Sequence, residues 1–121
     1  MENRSIIQAN FIIANRDLIN KFGVNSAILL GELYGRYSYF KKRNQLKNGF
    51  FFATKNSIES STKLTPYKQR TASSILENAN ILEVKYIDIP PKTYYRINEI
   101  NLLKVLKNSV VDEMTDKEIT R

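Results

Sequence analysis

The chain has 121 residues, of which 42% are hydrophobic and 26% are charged, a composition typical of one folded globular domain. It contains no cysteine and no histidine, which excludes disulfide frameworks, cysteine zinc sites and catalytic triads or dyads that use histidine. No apolar run approaches the roughly 20 residues that span a bilayer, and the first residues do not predict a signal peptide. We therefore expect a cytoplasmic protein without membrane contact.

The net charge of +7 comes from 19 basic and 12 acidic residues, and it is unevenly distributed along the chain. Residues 36–97 contain twelve lysines and arginines but four carboxylates, whereas the segments on either side are nearly neutral. A basic central segment favours a polyanionic partner, most often nucleic acid. The alternative is a basic surface that serves only solubility.

The N-terminal residues predict an arm followed by a short helix. Residues 5–14 are mostly apolar and rich in isoleucine, which predicts a strand or an ordered arm. Residues 16–22 predict one or two helical turns that end at Gly23. We interpret residues 1–23 as an N-terminal arm or dimer element.

A long helix is predicted next, over residues 27–43, with Asn25 or Ser26 as its N-cap. It is apolar almost all round, and Glu32 with Arg36 forms its clear polar stripe at the favourable i, i+4 spacing. Such a helix lies either at the centre of the fold or against a second chain. A core helix and a homodimer interface are both open at this point.

The central segment predicts two closely spaced helices after a short strand. We expect a turn at 48–49, a strand over 50–52, and helices over 55–61 and 66–79. Thr54 and Thr65 are the expected N-caps, and Pro66 occupies the first helical position, where proline is favoured.

The remaining residues predict a hairpin and a last helix. We expect strands over 81–87 and 93–97 around a Pro90-Pro91 loop, a helix over 99–107, and a polar tail or linker over 108–121. Two adjacent helices followed by a hairpin are typical of a winged helix-turn-helix. The predicted fold class is therefore α+β, a winged helix-turn-helix with a two- or three-stranded wing sheet in one domain over residues 1–107.

The second helix of this pair has the pattern of a recognition helix. The helix pair needs apolar residues that face the core, and these are Ile58 in the first helix, Leu64 in the turn, and Ala72, Leu76 and Ala79 in the second helix. Helical spacing then directs other side chains outward. These are Tyr67, Lys68, Arg70, Thr71 and Ser74.

Those outward side chains suit double-stranded DNA. Arginine can donate two hydrogen bonds to guanine, whereas lysine, tyrosine, threonine and serine reach phosphate oxygens. We expect phosphate positioning by Thr65, Lys55 and Lys63, and wing contacts by Lys85 and Lys92.

Other candidate sites give weaker predictions. Residues 50–52 form either a stacking platform for single strands or a strand with alternate rings in the core. The four glycines are scattered, so they form no phosphate-binding loop. The carboxylates show no convergent acid–base pattern. We therefore predict no enzyme activity, no cofactor and no metal.

Several segments resemble the N-terminal winged-helix domain of replication initiators from Gram-positive plasmids and phages, including RepA-type initiators and DnaD-like replisome organisers. The resembling segments are residues 10–18, 23–30, 48–52, 64–82 and 92–98. The resemblance implies that the helix from Pro66 is the recognition helix, the hairpin is the wing, and the long helix with its preceding segment is a dimer element.

The resemblance also bears on the biological role. Proteins of that family usually carry a further C-terminal domain that contacts the replication machinery, and no segment here corresponds to it. We therefore expect either a fragment of such an initiator, with replication proteins as possible partners, or a small transcriptional repressor of the same fold. A different class of function is a protein–protein adaptor that binds through the long apolar helix and the wing.

Overall fold

A computed structural model describes residues 11–107, which form a mixed α+β fold. The helices are α1 (Arg16–Phe22), α2 (Val24–Lys42), α3 (Lys55–Thr62), α4 (Pro66–Asn78) and the helical residues 99–107, here α5. The strands are β1 (Phe51–Phe52), β2 (Leu82–Ile87) and β3 (Lys92–Ile97). The tail predicted over 108–121, and the first ten residues of the predicted arm, lie outside the described residues.

The junction of α1 and α2 is set by Gly23. The Asn15 side-chain oxygen caps α1 by accepting hydrogen bonds from the backbone N–H groups of Asp17 (2.8 Å) and Leu18 (3.2 Å). Gly23 is the one residue between the two helices. Its φ of 94° is a backbone conformation that residues with a side chain rarely adopt. The α1 helix therefore ends at Gly23, as predicted.

The predicted start of α2 is wrong. The helix begins at Val24, three residues earlier than expected, because the reversal at Gly23 lets helical geometry resume at once. Neither Asn25 nor Ser26 is its N-cap. Ser26 is instead buried inside the helix, where its hydroxyl donates to the Ala72 carbonyl at 3.4 Å.

The three strands form one antiparallel sheet in the order β1-β3-β2. All six residues of β2 pair with β3, and Phe51 of β1 pairs with Tyr95 on the other side of β3. The sheet therefore has three strands, the larger of the two numbers predicted. The first strand is shorter than predicted because Phe50 pairs only with Lys47, in an isolated bridge that closes the preceding turn.

Alternation along the strands gives the sheet two faces. Val84 and Tyr95 pair on the face that packs against the helices. Lys85 and Phe52 both pair with Tyr94 on the opposite face. We call this second face the outer sheet face and define it by Phe52, Lys85, Lys92, Tyr94 and Arg96.

The hydrophobic core is built around α2, which contacts α1, α3, α4 and the sheet. Its most enclosed side chains are Leu29, Leu30, Leu33, Ile58, Leu76, Ile81 and Tyr95. Burial raises the pKa of the Tyr95 phenol to about 12. Most of the apolar surface of α2 is thus accounted for by the core of its own chain.

The last described helix is attached to α2 by a polar cluster. The Glu99 carboxylate accepts hydrogen bonds from the Tyr37 hydroxyl (2.7 Å), the Tyr34 hydroxyl (3.2 Å) and the Lys41 ammonium (2.9 Å). Leu102 is buried one turn later. These contacts hold α5 beside the middle of α2.

Candidate nucleic-acid interface

The turn between α3 and α4 is three residues long and fixed by side-chain hydrogen bonds. The Thr62 hydroxyl donates to the Ile58 carbonyl at 2.7 Å and accepts from the Leu64 N–H at 3.1 Å. Lys63 adopts the left-handed conformation with a φ of 66°. The buried Leu64 side chain then anchors the turn in the core, as the sequence predicted.

The beginning of α4 is capped as predicted. The Thr65 hydroxyl accepts from the Lys68 N–H at 3.3 Å, and Pro66 occupies the first turn of the helix. Thr54 caps α3 in the same way, by accepting from the Ser57 N–H at 3.0 Å. The two helices therefore begin where their threonines place them.

Gln69 is a buried residue that joins the two helices, and the sequence analysis did not predict this role. The Gln69 amide nitrogen donates to the carbonyls of Lys55 (3.0 Å) and Leu64 (2.8 Å), which fixes α4 against α3 and the turn. Its amide oxygen has no hydrogen-bond partner in the described part of the chain. The available signal was spacing, because position 69 lies on the same helical row as the buried Ala72 and Leu76.

The inward row of α4 otherwise follows the prediction. Ala72 and Leu76 are buried, Ala79 is partly buried, and Ile58 of α3 is fully enclosed. All five side chains predicted to point outward are exposed. They are Tyr67, Lys68, Arg70, Thr71 and Ser74.

These outward side chains form a continuous surface, which we call the α4 face. Tyr67 is 69% exposed, and the Arg70 guanidinium carbon lies 6.0 Å from its ring centroid. The Thr71 hydroxyl donates to the Tyr67 carbonyl at 3.2 Å, which leaves its oxygen free to accept. Beside Tyr67 and Lys68, a cleft of about 480 Å³ separates α4 from the start of α2.

Positive charge is concentrated beside the N-terminal half of α4. Burial and the nearby charge of Arg70 both lower the pKa of the Lys55 ammonium. No ion pair among residues 11–107 involves Lys55, Lys63, Lys68 or Arg70. The one carboxylate of α4, Glu77, lies near the other end of the helix. Cations held together in this way favour an anionic ligand.

The structure places the two predicted wing lysines away from this surface. The Lys85 ammonium lies 4.8 Å from the Phe50 ring centroid, and the Lys92 ammonium lies 5.8 Å from that of Phe52. Both belong to the outer sheet face. On the other face of the hairpin, the ring centroid of Tyr86 lies 6.0 Å from the ammonium of Lys55 at the start of α3.

Tyr86 was not predicted as a site residue, although the sequence carried a signal for it. Leu82, Val84 and Tyr86 alternate with Glu83 and Lys85, and this pattern places Tyr86 on the core side of the strand and Lys85 on the other side. Thr65 and Lys63 are exposed at the turn, and Lys55 is half-buried at the start of α3, so both predicted phosphate lysines border α4.

Two other features bear on function. No group of three or more carboxylates within residues 11–107 is arranged to hold a metal ion. None of the helices in that part of the chain is both long and apolar enough to cross a membrane.

Comparison with known proteins adds no relative. No protein family, curated protein or solved structure matches the chain. The function of the α4 face must therefore be inferred from its own residues.

Proposed function

We propose that the chain is a winged helix-turn-helix protein that binds double-stranded DNA sequence-specifically, with α4 in the major groove. An α3–turn–α4 unit followed by an antiparallel hairpin is compatible with this fold. The three-residue turn has the length that the motif requires.

The observation that carries the proposal is the unpaired positive charge on and beside the first half of α4. Burial and, after it, the nearby charge of Arg70 lower the pKa of Lys55, and no carboxylate pairs with either cation among the described residues. A phosphate placed between them would relieve this repulsion and be stabilised by both cations. A solubilising surface does not require cations to be held together without a counter-charge.

Individual roles follow from position. We assign base contact to Arg70, because it is exposed on the first half of α4 and its guanidinium can donate two hydrogen bonds to guanine. Lys68, Tyr67, Thr71 and Ser74 contact the groove or its phosphates. Lys55, Lys63 and Thr65 position the flanking backbone, while Lys85 and Lys92 contact DNA only where the hairpin edge reaches it.

The biological setting that we propose is initiation of plasmid or phage DNA replication, by a homodimer in the cytoplasm. Support for this setting comes from the sequence resemblance to replication initiators. A transcriptional repressor would use the same surface, and the position of the DNA site separates the two roles. An initiator site lies in a replication origin, whereas a repressor site overlaps a promoter.

One observation favours a protein partner as a second candidate function. Phe11, Ile13, Tyr34 and Leu103 are exposed around a mostly apolar cleft of about 420 Å³ between α2 and α5. Apolar clefts of this kind bind protein segments. In an adaptor, this cleft would bind the partner and the α4 face would not bind DNA.

The test is a fluorescence anisotropy titration with a duplex selected from a randomised library and with a scrambled duplex, each at several salt concentrations. We expect preference for the selected duplex and a steep loss of affinity with salt. Arg70→Ala should cost about 1–3 kcal/mol on the selected duplex and reduce the preference.

Two lysine variants complete this test. Lys68→Ala should weaken both duplexes alike and reduce the salt slope by about 1, whereas Lys104→Ala on α5 should change neither. Absence of duplex binding at low salt, or an Arg70→Ala variant that behaves as the parent, would reject the proposal. Salt-insensitive capture of a protein partner would favour the adaptor.

A further inference from the structure

We propose that the outer sheet face is a second nucleic-acid surface, which binds single-stranded DNA by stacking unpaired bases on Phe52 and Tyr94. This inference goes beyond duplex binding by α4, because it concerns the opposite face of the sheet and a different form of DNA. It rests on aromatic geometry and charge on that face.

The two rings form an accessible apolar platform. Phe52 is 41% exposed on the edge strand β1, and Tyr94 is half-buried beside it on β3. Their centroids are 5.7 Å apart and their planes differ by 47°. A base in a duplex already stacks on its neighbours, whereas an unpaired base can stack on such a ring.

Cations surround these rings. Lys85, Lys92 and Arg96 occupy register positions on the same face, and Lys47 lines a cleft of about 550 Å³ with Lys85, Tyr94 and Arg96. The face carries one carboxylate, Glu83, which pairs with Arg96. Its net positive charge complements a phosphate backbone that follows the bases across the strands.

Phe50 has a different role from the two exposed rings. The Lys85 ammonium and the Arg96 guanidinium carbon lie 4.8 and 4.7 Å from its ring centroid and cover it, so that it is only 7% exposed. Phe50 therefore cannot stack on a base. Its ring holds the two side chains along the margin of the cleft, where their charged ends can contact phosphates.

The arrangement distinguishes a single strand from other anionic partners. A duplex offers phosphates but no free base faces, and an acidic protein segment offers carboxylates but no set of flat rings. Aromatic rings at adjacent register positions, bordered by cations, match the alternation of base and phosphate along a single strand. Since the α4 face lies across the sheet, substitutions can separate the two activities.

The experiment uses the full chain and three labelled probes in fluorescence anisotropy. The probes are oligothymidylate of about 12 nucleotides, an abasic strand of the same length and charge, and a duplex. We expect the parent protein to bind oligothymidylate more tightly than the abasic strand. Equal affinity for these two strands would overturn the proposal, because it would mean that charge alone is recognised.

Variants locate the binding surface. Phe52→Leu keeps an apolar side chain on the edge strand and should weaken oligothymidylate binding roughly 5- to 150-fold, the range observed for loss of one stacking ring. The matched control is Tyr86→Leu, which removes an exposed ring from the other face of the hairpin and should leave oligothymidylate binding unchanged. Phe52→Leu binding like the parent, or equal losses in both variants, would overturn the proposal.

A charge variant keeps the test valid if Phe52→Leu does not fold. Lys85→Gln keeps a long side chain beside Phe50 but removes its charge, and it should reduce the salt slope for oligothymidylate by about 0.7. An unchanged slope would count against the outer sheet face. Duplex binding is measured in parallel, so a protein that binds oligothymidylate but no duplex would refute the proposed function while supporting this surface.

Discussion

Gly31 and Gly35 lie one turn apart on α2 but face different surroundings. A β-carbon at Gly31 would collide with the carbonyl oxygen of Ile13, whereas one at Gly35 would meet no atom within 4 Å. The segment before α1 therefore crosses α2 at a point where only a glycine allows the two backbones to come so close. Both glycines otherwise cost helix stability relative to alanine.

This difference gives a paired prediction at the residue scale. Gly31→Ala should lower the free energy of unfolding by about 1–3 kcal/mol, because the collision forces the segment off α2. Gly35→Ala should raise it by about 0.5–1 kcal/mol through helix propensity alone. Urea unfolding followed by far-UV circular dichroism measures both, and stabilisation by both substitutions would show that the Ile13 contact is not retained.

Single residues also show how much of the site the sequence could predict. Thr54 and Thr65 were recognised as N-caps because a cap depends on a local hydrogen bond within four residues. Gln69 was missed because a buried amide is explained only by carbonyls 5 and 14 residues away in the chain. Hydrogen bonds between residues close in the sequence could be predicted, whereas hydrogen-bond acceptors contributed by a neighbouring helix or turn could not.

At the scale of elements, the attachment of α5 to α2 depends on one carboxylate. Hydrogen bonds from Tyr37 and Lys41 lower the pKa of Glu99, and the same contacts raise the pKa of Lys41. A lowered pKa in the folded state means that ionised Glu99 stabilises the fold above its unfolded pKa of about 4.3. This contribution disappears as the pH falls through the lower, folded-state value.

We therefore expect Glu99→Gln to change the acid dependence of stability. The parent should lose stability more steeply than the variant as the pH falls below about 4.3, and the variant should be less stable at pH 7. Urea unfolding across this pH range provides the measurement. Glu77→Gln, which removes a carboxylate with no ion pair in residues 11–107, is the control, and parallel curves for parent and Glu99→Gln would contradict the assignment.

The elements themselves were predicted more reliably than their limits and orientations. Every predicted helix and strand within residues 16–107 is present, because periodicity and caps act locally. The start of α2 was misplaced because Gly23 both ends one helix and allows the next to begin. Alternation with Leu82, Val84 and Tyr86 places Lys85 on the outer sheet face, whereas the position of Lys92 follows from its pairing with Ile87 across the hairpin, which no pattern within one strand gives.

At the scale of the whole molecule, the predicted homodimer requires an exposed apolar surface that a second copy could cover. Most of the apolar surface of α2 is used in the core, so a dimer formed through that helix alone is not favoured. Exposed apolar side chains gather instead around the cleft between the 11–15 segment, α2 and α5. Phe11 and Ile13 belong to the N-terminal region predicted as a dimer element, and Ile13 is 80% exposed.

We expect homodimerisation through this cleft, because each square ångström of apolar surface that the two copies remove from water stabilises the dimer by about 25 cal/mol. Sedimentation velocity over a range of micromolar concentrations should show a monomer–dimer equilibrium. Leu103→Glu would place a charge against the partner's apolar surface and should shift the equilibrium to monomer. Ile89→Glu changes an equally apolar but 99% exposed side chain in the hairpin turn, and it should leave the equilibrium unchanged. A parent that sediments as a monomer at every concentration would reject the dimer and would leave the cleft available to a different protein partner.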